Sequence, residues 1–493
     1  MAARKTKKAT TKKAASKKPK KASKAKKAAA KKRPAKRATS KSRRFRVKVR
    51  MYRQGLGDCF LITIPRKKGG PFYAVIDCGV ILGTADASTM MREVVEHIIT
   101  TTGGRIDLLA ATHEHWDHIS GFGQVKDLWT DKTRLKVDQV WLSWAEDSKD
   151  PLARKLRNER QAMRLALQAA AARMRAAGNS EPAEDVTNLL SFFAAAGTTS
   201  DALEVVKSLS KDLRFCTPSD KPVKIPGTDV RVYVLGPPPD EKFIKKYNPS
   251  KKEPETYHLD AMNQYVASLT LTDSDPDTPF DEQFHIPMPV AQQMPFFQQY
   301  YWGEAEDLPD KSLPDKGQAR TDPTERSQSW RRIDANWLDS SSSLALQLDS
   351  ATNNTCLVLA FELANGDVLL FAADAQVGNW LSWQDLKWKV DGKEVTGPDL
   401  LERTIFYKVG HHGSHNATLR ELGLEKMSAL KLAFVPVDRK MAIKKRWNNM
   451  PLSELMKRLG EKTKECVVRI DADAPAKLKK SMESDKLFHE VTL

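Results

Sequence analysis

The sequence predicts an α/β body preceded by an unstructured basic tail, and three observations carry that prediction. Positive charge is concentrated in the first 44 residues, strand-type alternation interleaves with helix-type periodicity from residue 45 onwards, and apolar runs end repeatedly in clusters of histidine and aspartate. The chain has 81 Lys+Arg against 62 Asp+Glu; residues 1–44 hold 21 of the basic residues and no acid, which leaves 60 against 62, a net of −2, for residues 45–493. It is therefore two electrostatic objects, a polycationic tail and a near-neutral body.

The tail is built almost wholly from Lys, Arg, Ala, Ser, Thr and Pro. Apart from Met1 its only apolar residue is alanine, so it cannot bury enough surface to offset its ordering entropy, and disorder is expected. Basic charge without an apolar stretch is neither a secretory signal nor a membrane span. Its composition resembles the tails of linker histones and of histone-like bacterial proteins. The expected partner is nucleic acid, DNA ahead of RNA, held by counterion release through Lys12, Lys13, Lys17, Lys18, Lys31, Lys32, Arg33, Arg43 and Arg44. A solubilising or localising tail is the plainer alternative. No membrane partner is expected, and the oligomeric state is not legible.

In the body, "FRVKVRMY" alternates apolar and basic residues and reads as a strand with one buried face. "CFLITI" and "YAVIDCG" follow as strands around the turn-forming "PRKKGGP", then a helix, "TMMREVVEHIITTT", then the strand "DLLAAT". After the strand "KVDQVWLSW", the residues Leu152, Leu156, Met163, Leu167, Ala170 and Met174 recur at spacings of 3, 4 and 7, one face of a helix. With "EDVTNLLSFFAAAG" this makes a helical insertion at about 145–215, placed to cap a site or to mediate association. Strands resume with "DVRVYVLGPPP". Residues 240–335, rich in Pro, Asp and Lys, form a second insertion, a lid or a disordered segment, with the aromatic island Phe296, Phe297, Tyr300, Tyr301 and Trp302. "SLALQLD" and "CLVLAFEL" read as a hairpin around "SATNNT", and "DVLLFAADA", "TIFYKV", "LKLAFVPV", the helix "LSELMKRLGE" and the strand "CVVRID" complete the chain. Five scattered cysteines without a CxxC pair point to reduced thiols.

Six of the ten histidines lie in two short windows, "THEHWDH" at 112–118 and "GHHGSH" at 410–415, and the carboxylate of Asp374 ends the strand "VLLFAAD" between them. His113 and His115 are spaced to point to one side of the chain leaving a strand, and Asp117 and His118 to face a second position nearby. Imidazole and carboxylate are the ligands of catalytic zinc, where an open position admits water and the metal lowers that water's pKa towards neutrality. The bland alternative is a set of surface or core histidines unconnected in space; the spacing favours a two-metal site.

The pattern His113-x-His115-x-Asp117-His118 after a strand resembles the metal signature of the metallo-β-lactamase superfamily. The likeness is greatest to the branch containing the soluble hydrolase domain of the competence protein ComEC and the phosphorylcholine esterases. "QGLGDCFLI", "VIDCG", "LFAADA" and "KVGHHGS" are similar to further motifs of that branch, over roughly residues 45–475 outside the two insertions. The resemblance implies an αββα sandwich at 45–493 and two divalent ions, zinc first and manganese second. It implies His113 and His115 on one ion, Asp117, His118 and His412 on the other, and Asp374 bridging both. Asp117, Asp374 and His411 would be catalytic, with His411 and Ser414 facing a substrate phosphate or carboxylate. Asp77 and, less directly, Asp58 would fix ligand orientation from behind. In two places the sequence departs from the family. No motif supplies a third histidine to the first ion, for which His258 and His285 are the mid-chain candidates, and Ala373 stands where glycine is usual.

The expected activity is that of a metal-dependent hydrolase, a nuclease or phosphodiesterase brought to nucleic acid by its tail, with Lys408 steadying a phosphate or simply solvated at a strand end. A small-molecule ester or phosphoester hydrolase tethered to the nucleoid, and a nucleic-acid-binding protein with a vestigial hydrolase domain, are the alternatives. The expected setting is a bacterial cytoplasm, in association with the nucleoid.

Overall fold

The alternating apolar runs assemble into two large sheets whose strand ends carry the histidines and aspartates. The structure, a computed structural model, describes residues 46–176, 180–193, 198–246, 293–295, 345, 347–414, 417–448 and 450–493. The tail with its basic residues, most of the 240–335 insertion with its aromatic island, and His258, His285 and His415 lie outside the described residues.

In chain order the strands are β1 (Lys48–Tyr52), β2 (Cys59–Ile64), β3 (Phe72–Cys78), β4 (Arg105–Ala111), β5 (Lys136–Ser143), β6 (Asp212–Cys216), β7 (Val223–Lys224) and β8 (Arg231–Gly236). They continue as β9 (Val358–Glu362), β10 (Val368–Phe371), β11 (Lys387–Val390), β12 (Lys393–Thr396), β13 (Thr404–Lys408), β14 (Leu432–Val435), β15 (Val467–Arg469), β16 (Met482–Ser484) and β17 (Phe488–Thr492). The first sheet has the order β16-β17-β1-β2-β3-β4-β5-β6 and the second β15-β14-β13-β10-β9-β8-β7, with β11 and β12 as a separate hairpin. Both sheets are mixed: β3 to β6 run parallel, as do β10, β13, β14 and β15, and antiparallel strands complete each.

Period-two alternation decides which side chains go where. On β2, Phe60 and Ile62 enter a core shared with Phe361, Phe371, Phe406 and Phe434 of the second sheet, whereas Leu61 turns to the other face. That other face is covered by α1 (Ala87–Thr102), α2 (Trp116–Gln124), α3 (Lys126–Thr130) and α6 (Thr198–Ser208), through Met91, Val94, Ile98, Ile119, Leu128 and Val206. The outer face of the second sheet, with Tyr233, Leu370 and Tyr407, packs on Leu167 and Met174 of α4 (Pro151–Ala176), Val186 of α5 (Ser180–Leu190) and Trp380 of the helix Val377–Ser382. Residues 45–493 thus form one unit in which two face-to-face sheets are flanked by helices. Among the described residues no helix is long and apolar enough to cross a membrane.

Two departures from the sequence reading bear on the packing. Strand β17, unpredicted, pairs with β1 in the register Arg50↔Glu490, so Arg50 is buried in an ion pair of 2.7 Å with Glu490 instead of facing water. Residues 347–353 are helical where a strand and hairpin turn were expected, because Leu348, with Ala345 three residues before it, buries in the core on the outer face of the second sheet. The insertion after β5 is helical as expected, through α4, α5 and α6, before the chain re-enters the first sheet as β6.

Gly79 fits the "DCG" turn against the start of α2: a Cβ there would lie 2.4 Å from the carbonyl carbon of Asp117 and 2.5 Å from the amide nitrogen of His118. Gly79→Ala should therefore lower stability by roughly 1–3 kcal/mol through overpacking. The denaturant midpoint checks this, and an unchanged midpoint would contradict the packing described.

Candidate metal centre

The site is assembled from turns that leave the C-terminal ends of strands. From β4 come Thr112, His113 and His115, and His115 is the N-cap of α2, whose first turn carries Asp117 and His118. Asp77 lies near the end of β3, Asp374 follows β10, and His411 and His412 occupy the 3₁₀ turn Gly410–Gly413 after β13. Backbone strain gathers here: Asp77, Ala373, His411 and His412 have φ of 56°, 46°, 44° and 53°, the left-handed region that non-glycine residues hold only at a cost of about 1–2 kcal/mol each. At Ala373, a glycine would take this conformation without that cost.

His113, His115, Asp117, His118, Asp374 and His412 are all at most 1% exposed. Candidate ligand atoms of Asp117, His118, Asp374 and His412 lie within 4.8 Å of one another, and so do those of His113, His115 and Asp374, which places Asp374 in both groups. His113 Nε2 is 3.0 Å from His115 Nδ1, His118 Nε2 is 3.1 Å from Asp374 Oδ2, and His412 Nε2 is 2.7 Å from Asp117 Oδ2. Three of the four rings are held from behind through their second nitrogen. His113 Nδ1 meets Thr112 Oγ1 at 3.0 Å, His118 Nδ1 meets Asp77 Oδ2 at 2.8 Å, and His412 Nδ1 meets the Pro436 carbonyl at 2.8 Å. A hydrogen donated at the back leaves a lone pair facing inward, the state of a metal-binding imidazole. The inward atoms His118 Nε2, Asp117 Oδ1 and Asp374 Oδ2 are buried yet make no hydrogen bond. Buried polar groups are seldom left unpaired, and a cation would satisfy these three together. The two clusters can hold a metal ion.

Charge within the cluster is strongly partitioned. Burial favours neutral Asp374, but His118, Lys408 and His412 outweigh it and hold the carboxyl well below its ordinary range. Burial likewise opposes charge on His118 and His412, yet the surrounding carboxylates, Asp374 foremost, push both above the usual histidine value. At His113 and His115 burial outweighs the nearby carboxylates, driving His113 well down and His115 to about 3. Burial also lowers His411 to about 4.

Of the residues named from sequence, Asp77 and Asp58 stand behind the cluster. Asp77 accepts from the Thr112 amide at 2.7 Å as well as facing His118, and Asp58 pairs with Lys408 at 2.5 Å. Lys408 is not a solvated strand-end lysine. It is 1% exposed, its amine donates to the Ala373 carbonyl at 2.8 Å, and it lies 3.3 Å from Asp374. His411 is also buried, its ring between Gln376 and Asn353 at 3.3 and 3.4 Å, and its amide donates to Asp374 Oδ1 at 3.1 Å. Ser414 closes the same turn, its amide donating to the His411 carbonyl at 2.9 Å.

Several neighbours were not legible. Phe192 and Phe193, from the turn after α5, pack on His115 with ring centroids 5.3 and 4.7 Å away, and Phe192 stacks on Trp447 at 4.7 Å. Glu114 turns away from the cluster to Arg160 of α4 at 3.1 Å, which ties the histidine loop to the helical insertion. Asp349, on the helical segment 347–353, was read as part of a strand, and no local motif marks it. Thr112 alone carried a signal, a hydroxyl at the strand end beside the first histidine.

No protein-family model matches the chain, and no curated protein matches it.

A metal ion bound here would have to displace protons. Because His118 and His412 keep theirs to higher pH than an ordinary histidine, Zn²⁺ binding should release protons near neutral pH and weaken as pH falls. Calorimetry in buffers of different ionisation enthalpy measures the release; an affinity independent of pH between about 5.5 and 8 would contradict the assignment.

Proposed function

We propose that the chain is a metal-dependent hydrolase with a metallo-β-lactamase-type sandwich, that its buried cluster holds two divalent ions, zinc or manganese, and that it cleaves phosphodiester bonds in nucleic acid recruited by the tail. The observation that carries this reading is Asp374, which belongs to both ligand groups while the His118 and His412 rings present their Nε2 atoms beside it. Two divalent ions so placed would supply Lewis acidity and water ionised near neutral pH. The chain's own residues prepare for them. Thr112, Asp77 and Pro436 fix the rings, Lys408 and the His411 amide fix Asp374, and Phe192 and Phe193 keep water from the His115 side. His411 and Ser414, on the turn beside Asp374, are the residues assigned to substrate.

The metals do not select among esters, amides and phosphodiesters. The tail does: its 21 basic residues without an acid concentrate a polyanion at the body. A second reading, a small-molecule ester or phosphoester hydrolase tethered to nucleic acid in the bacterial nucleoid, draws support from the body's net charge of −2 and from Lys408, whose charge is committed to Asp58 and Asp374.

Labelled single-stranded DNA, duplex DNA and RNA, incubated with the protein and Zn²⁺, Mn²⁺ or Mg²⁺, separate the two. Cleavage should fall roughly a hundredfold or more in Asp374→Asn and in His118→Ala, with circular dichroism confirming that each variant folds. Absence of cleavage in a metal-loaded protein that binds DNA tightly would favour the second reading. Deleting residues 1–44 should weaken DNA binding steeply and flatten its salt dependence while turnover of a small phosphodiester persists. An unchanged salt slope would remove the tail from the account.

A further inference from the structure

Asp349 is a buried carboxylate without an assigned part. It is 4% exposed, with Oδ1 3.9 Å from His115 Nε2 and Oδ2 3.9 Å from His411 Nε2. Asn353, one helical turn on, donates to Oδ2 at 3.0 Å and so sets the plane of the carboxylate. The facing atoms His115 Nε2 and Asp349 Oδ1 are both buried, and both lack a hydrogen-bond partner.

The geometry of the neighbouring rings says what this pair is for. His113 Nε2 and His115 Nδ1, 3.0 Å apart, face a common point, and His113 is backed by Thr112 through its other nitrogen. An imidazole that binds a cation through Nδ1 carries its hydrogen on Nε2 and needs an acceptor there. His118 and His412 have such acceptors in Asp77 and Pro436. At His115 the acceptor is Asp349, which a movement of about 1 Å brings into hydrogen-bond range. We propose that Asp349 is the positioning residue of the first ion: it accepts the Nε2–H of His115, holds that ring as an Nδ1 ligand, and does from the helix before β9 what Asp77 does for His118. This inference rests on the metal-centre reading.

The test uses the full chain, stripped of metal and titrated with Co²⁺ under visible absorption, with metal content counted by elemental analysis. Wild type should take two ions. Asp349→Ala should bind one of them about 10–100-fold more weakly and leave the other unchanged, the usual penalty for losing such a partner. Asp349→Asn, whose amide oxygen still accepts, should recover part of the loss and keeps the test valid if the alanine variant misfolds. Combined with His115→Ala, Asp349→Ala should add no further weakening, since it acts through that ring. In the Zn²⁺-loaded protein, ¹⁵N NMR should show the His115 hydrogen on Nε2, exchanging faster with solvent in Asp349→Ala. Two ions bound with unchanged affinity in both Asp349 variants would overturn this inference alone. A wild type that takes no ion would overturn the metal centre and this inference with it.

Discussion

Asp374 sits with no solvent exposure between His118 Nε2 at 3.1 Å, Lys408 Nζ at 3.3 Å and the His411 amide at 3.1 Å. A carboxylate taken wholly out of water is tolerated only where opposite charge and hydrogen bonds replace its hydration. Each partner carries its own requirement. Lys408, equally buried, needs Asp58; His118 needs Asp77; and Asp77 in turn receives the Thr112 amide at the end of β4. The site is a chain of such dependencies, and breaking a buried pair by removing one member typically costs several kcal/mol because the other is stranded.

The fold makes that chain affordable by bringing strand ends together. Asp77, Thr112, Asp374, His411, His412 and Pro436 lie at or just beyond the C-terminal ends of β3, β4, β10, β13 and β14, the end at which parallel α/β sheets usually gather ligands. Two sheets contribute, and a backbone bond joins them at the site, the Leu357 amide donating to the Thr112 carbonyl at 2.8 Å. The helical insertion adds the aromatic side of the wall, and the Trp116 amide, 2.5 Å from the Phe192 carbonyl, binds that wall to the start of α2. The tail needs none of this architecture; its charge follows from composition, and its proposed work is to raise the local concentration of a polyanion.

What could be read from the sequence divides by range. His113, His115, Asp117 and His118 are local to one strand and the helix turn after it, so their spacing encoded their convergence. Asp374, His411 and His412 were legible because each follows an apolar run and stands in a distinctive cluster. Asp349 was not: its partner His115 is more than two hundred residues away, and the apolar residues of "SLALQLD" fit a short strand and a helix face equally well. The burial of Lys408 was not legible for a related reason. A strand-end lysine is ordinarily solvated, and only the tertiary arrangement of Asp58 and Asp374 draws it inward. Arg50 repeats the lesson, since on the face of β1 expected to be wet Glu490 of the late strand β17 and Thr101 of α1 hold its guanidinium.

In the proposed metal centre, the buried nitrogens and oxygens around Asp374 face two cations. Anomalous X-ray scattering from crystals grown with Zn²⁺, recorded on both sides of the zinc edge, tests it most directly. The account predicts two zinc peaks flanking Asp374, one beside His113 and His115 and the other beside Asp117, His118 and His412. No anomalous peak in this cluster, with zinc bound elsewhere or not at all, would contradict it.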